Sequence, residues 1–286
     1  MIFDILLDTL LDAVKLLPFL FITYLIMESI EHRTSQKTRR IMKNSGKWGP
    51  VLGGALGMFP QCGFSAAASN LYAGRVITLG TLAAVFLSTS DEMLPILISE
   101  KTGPGTIIRI LAVKVFIGIA AGLLIDLFHR RQKKAVDDEL RINHICEHEH
   151  CNCGEESIFK SAIKHTVQIF LFIVAVSFVL NLLIQFVGEE RLAALISGNS
   201  VLGPVIAGLV GLIPNCASSV VLTQLYLEGL LGAGAMLAGL LAGAGVGLLV
   251  LYRVNDNVKE NIRITVMLYM TGVLSGILIE MSGIVF

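Results

Sequence analysis

Two copies of one short motif place a cysteine beside a proline and polar residues within strongly apolar sequence. Residues 60–65 read Pro-Gln-Cys-Gly-Phe-Ser, and residues 214–219 read Pro-Asn-Cys-Ala-Ser-Ser. Cysteine sulfur binds soft and borderline metal ions, and the nearby amides, hydroxyls and freed backbone carbonyls supply oxygen ligands. These side chains form a candidate substrate site: Gln61, Cys62, Ser65, Asn215, Cys216, Ser218 and Ser219.

A packing role is the alternative explanation for the same residues. Small side chains let helices approach closely in a membrane, and a buried cysteine can act as a small apolar residue. For one cysteine this explanation would suffice. Two cysteines at equivalent positions, each beside a side-chain amide and serine, favour a binding site.

The two motifs are parts of an internal duplication. Cys62 and Cys216 are 154 residues apart. The same shift finds identical partners, without a gap, for Gly49, Pro50, Val51, Gly54, Gly57, Pro60, Cys62, Ser65, Leu71 and Tyr72. Proline lacks a backbone N–H, so each motif predicts a helix break at the same place in each half. In a membrane protein, paired helix breaks within repeats indicate a transport site.

A second polar group lies within an apolar stretch. Residues 88–92 read Ser-Thr-Ser-Asp-Glu, and Lys114 lies at a similar depth in the next stretch. A charge at membrane depth costs at least about 2.5 kcal/mol, so Asp91, Glu92 and Lys114 are candidates for coupling or coordination. A structural ion pair between Asp91 and Lys114 is the alternative. The equivalent stretch of the second half, residues 239–247, is rich in glycine and alanine and predicts close helix packing.

The composition is that of a polytopic membrane protein. The 286-residue chain is 54% hydrophobic and 15% charged, whereas a soluble protein averages about 25% charged residues. Its mean hydropathy is +0.76. Apolar stretches that approach the roughly 20 residues of a membrane span lie at 16–27, 76–87, 107–127, 169–187, 230–252 and 264–284. No cleavable signal peptide is expected, because the first residues carry aspartates instead of basic residues.

The basic residues predict the topology. Cytoplasmic loops are enriched in lysine and arginine, and the clusters around Arg39 and Arg130 share one side only if the motif segments do not cross the membrane. Each half then has three spanning helices and one re-entrant helical hairpin, which gives about ten hydrophobic helices in an all-α integral membrane protein. Because each half crosses the membrane an odd number of times, the second half has the opposite orientation to the first. The two hairpins then enter from opposite sides, and their turns can meet near the midplane. Both termini are then outside, and the central loop is cytoplasmic.

The linker between the repeats is rich in metal-binding side chains. We place the first inverted repeat at residues 1–130, the linker at 131–156 and the second repeat at 157–286. The candidate metal ligands of the linker are His144, Cys146, His148, His150, Cys151 and Cys153. Imidazole and thiolate suit zinc, cobalt, nickel, copper or cadmium, and the spacing matches no fixed zinc module, so a flexible capture loop is predicted. A polar linker that binds no metal is the alternative.

With these motifs the chain resembles a known family of membrane proteins. The two cysteine motifs, residues 90–95 (Ser-Asp-Glu-Met-Leu-Pro) and the Cys/His linker are similar to the ten-helix heavy-metal exporters. Members of that family are also described as arsenic-permease-like or as manganese transporters. The resemblance covers nearly the whole chain and implies a multi-pass permease for metal or metalloid ions. Cysteine ligands suit arsenite, zinc, cadmium or cobalt better than manganese, which prefers oxygen.

We therefore expect a secondary transporter, and more specifically an exporter, of a transition-metal or metalloid ion in the plasma (inner) membrane. The ion classes considered are zinc, cobalt, cadmium, manganese and arsenite, each as substrate, with no required cofactor. No P-loop motif occurs in the sequence, which indicates that an ion gradient supplies the energy. No enzymatic activity and no nucleic-acid partner are expected. The lipid bilayer is a partner, and a homodimer is left open.

Three alternative functions use the same residues. Half-helix N-termini favour anions, so the substrate could be a soft sulfur-containing anion. Cys62 and Cys216 could instead serve a membrane thiol redox protein, which requires their sulfurs to lie close enough to bond. A metal sensor would bind metal in the linker without moving any ion across the membrane.

Overall fold

The computed structural model contains only α-helices as regular elements in the part of the chain that it describes. The described residues are 9–11, 13–14, 17–18, 20–22, 24–25, 48–59, 62–90, 93–132, 158–187, 202–284 and 286. Gln61, Asp91, Glu92 and the six predicted linker ligands lie outside these ranges, so the predictions for them stay predictions.

The helices of the two halves correspond in order and position. The first half contains α1 (Gly49–Gly57), α2 (Cys62–Ala73), α3 (Leu79–Ser88), α4 (Met93–Ser99) and α5 (Pro104–Gln132). After α6 (Ile158–Val187), the second half contains α7 (Leu202–Gly211), α8 (Cys216–Leu227), α9 (Ala233–Ala242), α10 (Val246–Val254) and α11 (Val258–Met281). The shift that relates the cysteine motifs carries both ends of α2 onto α8 and both ends of α3 onto α9. The described residues of 9–25 are also helical.

Five helical segments among the described residues are long and apolar enough to cross a membrane. They are Leu79–Ser99, Pro104–Phe128, Ala162–Val179, Ala233–Val254 and Val258–Met281. The motif helices Leu202–Gly211 and Cys216–Leu227 are apolar but shorter, as a re-entrant hairpin requires. The prediction of an all-α membrane protein with several spans is confirmed. The inverted orientation of the second half stays a prediction.

The first of these spans is interrupted, a break that the prediction of three spanning helices per half did not include. α3 ends at Ser88 and α4 begins at Met93. At the break, Thr89 Oγ1 donates to the carbonyl of Val85 at 2.7 Å, and Ser90 Oγ donates to the carbonyl of Ser88 at 3.1 Å. Such side-chain bonds compete with the helical ladder, and Thr89 leaves the helical region with ψ 129°.

The corresponding span of the second half is also interrupted, by different residues. α9 ends at Ala242 and α10 begins at Val246. Gly245 has φ 52° and ψ −144°, a conformation that favours glycine because it has no Cβ. The predicted close packing of this stretch is present as well, since a Cβ on Gly239 would lie 2.7 Å from the carbonyl oxygen of Ala207. Both halves therefore contain a discontinuous helix.

Within each half, three helices form one closely packed unit. α1, α3 and α5 pack together in the first half, and α7, α9 and α11 pack together in the second. A Cβ on Gly122 would lie 2.4 Å from the carbonyl oxygen of Gly80, and a Cβ on Gly276 would lie 2.5 Å from that of Gly234. Helix backbones approach this closely only where the side chain is absent. The duplicated glycines thus hold duplicated helix crossings.

A carboxylate caps the equivalent helix N-terminus in each half. Asp126 of α5 accepts a hydrogen bond from the backbone N–H of Gly80 at 2.9 Å, and Glu280 of α11 accepts one from Gly234 at 2.8 Å. The first backbone N–H groups of a helix have no partner within the helix, and a negative charge there is stabilising. These bonds join α5 to α3 and α11 to α9.

The hairpin helices pack across the boundary between the halves. α2 packs on α10 of the second half, and α8 packs on α4 of the first half. Ser69 Oγ of α2 donates to the carbonyl of Gly247 in α10 at 2.6 Å. At the far end of α2, Arg75 forms a two-bond ion pair with Glu260 at 3.1 Å, and Tyr72 donates to the same carboxylate. The cysteine-bearing helix of each half therefore packs on a helix of the other half.

Candidate substrate site

The two motif cysteines meet between the halves. Cys62 is the first residue of α2 and Cys216 is the first residue of α8. Their Sγ atoms lie 3.2 Å apart, with Cys216 buried and Cys62 partly exposed. Two helix N-termini, one from each half, therefore converge on a pair of sulfur atoms. A soft ion could bridge such a pair, and the same separation would allow oxidation to a disulfide.

The first turn of each helix repeats one hydrogen-bonding pattern. Ser65 Oγ donates to the carbonyl of Cys62 at 2.8 Å, and Ser219 Oγ donates to the carbonyl of Cys216 at 2.7 Å. In α8, Ser218 Oγ donates to the carbonyl of Asn215 at 2.8 Å. Each hydroxyl uses its proton on the backbone, which leaves the oxygen lone pairs as acceptors. These oxygens can therefore act as ligands for a cation.

A small cavity lies beside the second cysteine motif, residues 214–219. Its volume is about 10 Å³, near the lower limit for one water molecule. Its walls come from the second motif, from both helix breaks and from α5: Thr89, Ser90, Met93, Lys114, Asn215, Ser218, Ser219, Gly239, Leu240, Gly243 and Gly245. The cavity is the right size for a single small ion or atom, and it exists only because both broken helices contribute to it.

Lys114 places a cation in the wall of this cavity. Its side chain is only 1% exposed, and its Nζ donates to the carbonyl of Thr89. That carbonyl lies just beyond the last turn of α3, where the helix break frees backbone acceptors. A buried ammonium needs such partners, because burying an unpaired charge is very costly. Asp91, its predicted ion-pair partner, lies outside the described residues.

Most of the predicted site residues within the described ranges lie at this place. Asn215, Ser218, Ser219 and Lys114 line one cavity, which joins the second motif to the predicted charged group. Cys62, Cys216 and Ser65 do not line the cavity. Ser65 is fully buried against α10, where a Cβ on Gly247 would lie 2.7 Å from the Cβ of Ser65.

Sequence reasoning missed several residues of the cavity wall. Met93 was noted only as part of the motif at residues 90–95, and Gly239, Leu240, Gly243 and Gly245 lie in the stretch that was assigned to close packing. The internal alignment held a usable signal, since the shift that pairs the two cysteines also pairs Met93 with Gly247. Methionine in one repeat aligned with glycine in the other marks a position where the two halves differ in side-chain volume.

These features together define a class of protein. Discontinuous helices that meet at the boundary between two repeats, with polar groups and a cavity at the breaks, are characteristic of secondary transporters. The chain belongs to the family described as "Putative, 10TM heavy-metal exporter", whose model matches residues 2–189 and 155–284. No curated protein and no solved structure matches the chain.

Proposed function

We propose that this protein is a secondary transporter that exports a transition-metal or metalloid ion through a site between the two cysteine motifs. The observation that carries the proposal is the 3.2 Å separation of Cys62 Sγ and Cys216 Sγ, which come from different halves. The family assignment supports a heavy metal as substrate. Thiolates bind such ions more strongly than they bind hard cations.

The proposed transport step uses the way in which the halves are joined. The substrate binds both sulfurs, with first-turn hydroxyls such as that of Ser219 and freed carbonyls as further ligands. α2 packs on α10 and α8 packs on α4, so a rotation of one half against the other shifts each cysteine-bearing helix relative to the helix that it packs on and changes the geometry of the two thiols. Such a motion would open the site to one side of the membrane and then to the other. Asp91, Glu92 and Lys114 would couple this motion to an ion gradient.

The proposed topology follows from the basic residues and from the odd number of crossings in each half. With the second half inverted, the two hairpins enter from opposite sides, both termini are outside and the linker is cytoplasmic. The matching bounds of α2 and α8 and of α3 and α9 support two repeats of one fold. They are compatible with the proposed orientation, which a reporter fused at each terminus would test.

The proposed role of the linker is to capture metal ions in the cytoplasm. Its histidines and cysteines, between His144 and Cys153, suit zinc, cobalt, nickel, copper or cadmium. We would measure the metal content of the purified protein with and without residues 143–154, which distinguishes metal bound by the linker from metal bound at the membrane site. Metal that is retained without the linker must lie within the membrane part.

Flux measurements in proteoliposomes test the thiol site. Replacement of both cysteines, Cys62→Ser with Cys216→Ser, is expected to lower metal flux by at least about tenfold. Loss of a residue that only orients a metal ligand already lowers metal affinity or activity by about that factor, and here the ligands themselves are removed. Zn²⁺, Cd²⁺, Co²⁺ and arsenite are supplied in turn. Ser177→Ala is the matched control, since Ser177 is buried in α6 and does not line the cavity. Unchanged flux of every ion in the double variant would show that the site assignment is wrong.

A thiol redox protein is the second candidate, favoured by the same distance between the sulfurs. Such a protein would pass electrons by thiol–disulfide exchange and would move no ion. Reduction of a low-molecular-weight disulfide by the purified protein, without any metal flux, would support it. Flux that persists while the thiols stay reduced would exclude it.

A soft sulfur-containing anion is a further candidate substrate. Lys114 lines the cavity and α8 directs its N-terminus toward the motif turn, and both favour negative charge. Thiosulfate would then compete with transport while metal ions would not. Competition by Cd²⁺ but not by thiosulfate would favour the metal.

A further inference from the structure

An ion pair between the halves lies at the far end of α2, the helix that begins at Cys62. Arg75 follows α2, and its guanidinium donates two hydrogen bonds of 3.1 Å to the carboxylate of Glu260 in the first turn of α11. Tyr72 donates to the same carboxylate, and the guanidinium lies 5.4 Å from the centre of the Tyr72 ring. The two charged side chains are only 17% and 21% exposed. Two-bond pairs of this kind are among the stronger polar contacts in proteins.

The backbone at Arg75 indicates that the side chain, and not the turn, accounts for the arginine. Arg75 has φ 59°, in the left-handed region that favours glycine. The equivalent residue of the second half is Gly229, with φ 73°. Both turns contain the same backbone hydrogen bond, from Arg75 to the carbonyl of Tyr72 at 2.9 Å and from Gly229 to that of Tyr226 at 3.0 Å. Glycine therefore forms this turn without strain, and a strained residue in its place is typical of switch regions.

The second hairpin helix is fastened in a different way. The residues equivalent to Arg75 and Glu260 are Gly229 and Thr106, so the charged pair is not duplicated. Tyr226, the equivalent of Tyr72, donates to the carbonyl of Phe286 at 3.1 Å. Within the described residues, charges therefore join the halves at the end of α2 and not at the corresponding end of α8.

The ion pair depends on the relative position of the halves. Arg75 belongs to the first half and Glu260 to the second, so a rotation of one half against the other changes the separation of their charged groups. A contact that is made in one conformation and lost in another favours the conformation that makes it. Arg75 and the start of α11 lie at the same end of the helices, which the proposed topology assigns to the cytoplasm.

We propose that Arg75 and Glu260 form a latch that stabilises the conformation in which the site is closed toward the cytoplasm. The latch is broken when the site opens to that side. This inference rests on the proposed function, because it concerns access to the same pair of thiols. It assigns a conformational role to two residues that lie outside the substrate site.

Labelling of the thiols from each side of the membrane tests the latch. The full-length protein, with Cys146, Cys151 and Cys153 replaced by alanine, is treated in vesicles with a membrane-impermeant maleimide from the cytoplasmic or the outer side. Arg75→Gly copies the second half and suits the backbone, and Glu260→Gln keeps the shape of the side chain without its charge. Each variant should raise the rate of labelling from the cytoplasmic side about tenfold, which is a typical coupling between two conformational states. The rate from the outer side should fall.

The matched control is Glu228→Gln, the same exchange at the end of the other hairpin helix. Glu228 is exposed directly after α8, so this variant should be labelled like the parent protein from both sides. The double variant Arg75→Gly with Glu260→Gln should behave like either single variant, because each exchange removes the same contact. Additive effects of the two exchanges would show that they do not act through one pair.

The outcomes separate the latch from a purely structural role and from the proposed function. Unchanged labelling in both single variants, or faster labelling from the outer side alone, would refute the latch and leave the thiol site in place. Faster labelling from both sides, with a lower melting temperature, would assign the pair to the stability of the fold and would also refute the latch. If labelling depends on the side as expected but the parent protein moves no metal ion, the latch is supported and the proposed function fails.

Discussion

At the scale of single residues, the site depends on side chains that satisfy the breaks in the helices. The Lys114 ammonium donates to the carbonyl of Thr89, and serine and threonine hydroxyls donate to other carbonyls nearby. A helix interrupted inside a membrane exposes backbone groups that have no water to bind. The interruption after α3 is therefore stable because neighbouring residues supply the missing partners.

Lys114 should consequently contribute to stability as well as to function. Lys114→Met keeps most of the volume but leaves the Thr89 carbonyl without this donor, so a loss of roughly 1–3 kcal/mol is expected. For a protein of this size each kcal/mol corresponds to about 2–4 °C in melting temperature. Thermal unfolding in detergent measures the effect. Lys164→Met is the control, because Lys164 is exposed on α6, and an equal shift in both variants would contradict the prediction.

Residue types revealed part of the site before the structure did. The two cysteines, Asn215 and the neighbouring serines stand out because polar residues are unusual in apolar sequence. Met93 does not stand out, since methionine is ordinary in an apolar core. Its position beside Ser219 depends on the packing of α4 against α8, which no local pattern contains.

At the scale of helices, the sequence predicts the number and length of the apolar segments better than their continuity. The segment Leu79–Ser99 is long and apolar enough to read as one span. Its break arises from Thr89 and Ser90 hydrogen bonds, and the equivalent break arises from the positive φ of Gly245. Hydropathy averages over such local effects, so the breaks were visible only in the structure.

The helix caps provide a test of the duplicated architecture. α3 is capped by Asp126 and also by Thr78, whose hydroxyl accepts from the N–H of Thr81 at 3.1 Å. α9 begins after Gly232, which has no capping side chain, so Glu280 carries that role. Loss of a cap costs about 0.5–2 kcal/mol. Asp126 also accepts a hydrogen bond from the Thr78 hydroxyl at 2.7 Å, so we expect Glu280→Ala and Asp126→Ala each to lower the melting temperature.

The control for these two variants is Glu100→Ala. Glu100 is exposed just after α4, and it should tolerate replacement with little change in melting temperature. If Glu280→Ala left the melting temperature unchanged, the assignment of Glu280 as the cap of α9 would be wrong. Unfolding of all three variants in one detergent allows a direct comparison.

At the scale of the whole molecule, the halves are joined by exchanged contacts instead of by one flat interface. α2 lies against α10, α8 lies against α4, and the ion pair between Arg75 and Glu260 ties the end of α2 to the start of α11. The sulfur atoms meet where these exchanged helices begin. Relative movement of the halves would therefore change the contacts of both helices that begin at the cysteine pair.

A cleavage experiment tests this arrangement. We would insert a protease site into residues 131–156, replace Cys146, Cys151 and Cys153 by alanine, and treat the protein with a mild oxidant. Because the remaining sulfurs are close to bonding distance, the cleaved halves should run as one band without reductant and as two bands with it. Cys62→Ser should abolish the joined band. Separation of the oxidised halves in the protein that retains both cysteines would contradict the observed geometry.

The exchanged packing also bears on what one repeat could be by itself. A chain of a single repeat would carry one sulfur of the pair, and its hairpin helix and its broken helix would each lack the helix of the other half that they pack on. Two such chains would cover each other's faces and complete each other's thiol pair. A single-repeat protein of this kind would therefore complete its thiol pair only as a dimer with a shared binding site, and fusion of two copies would allow them to differ, as Met93 and Lys114 differ from Gly247 and Leu268.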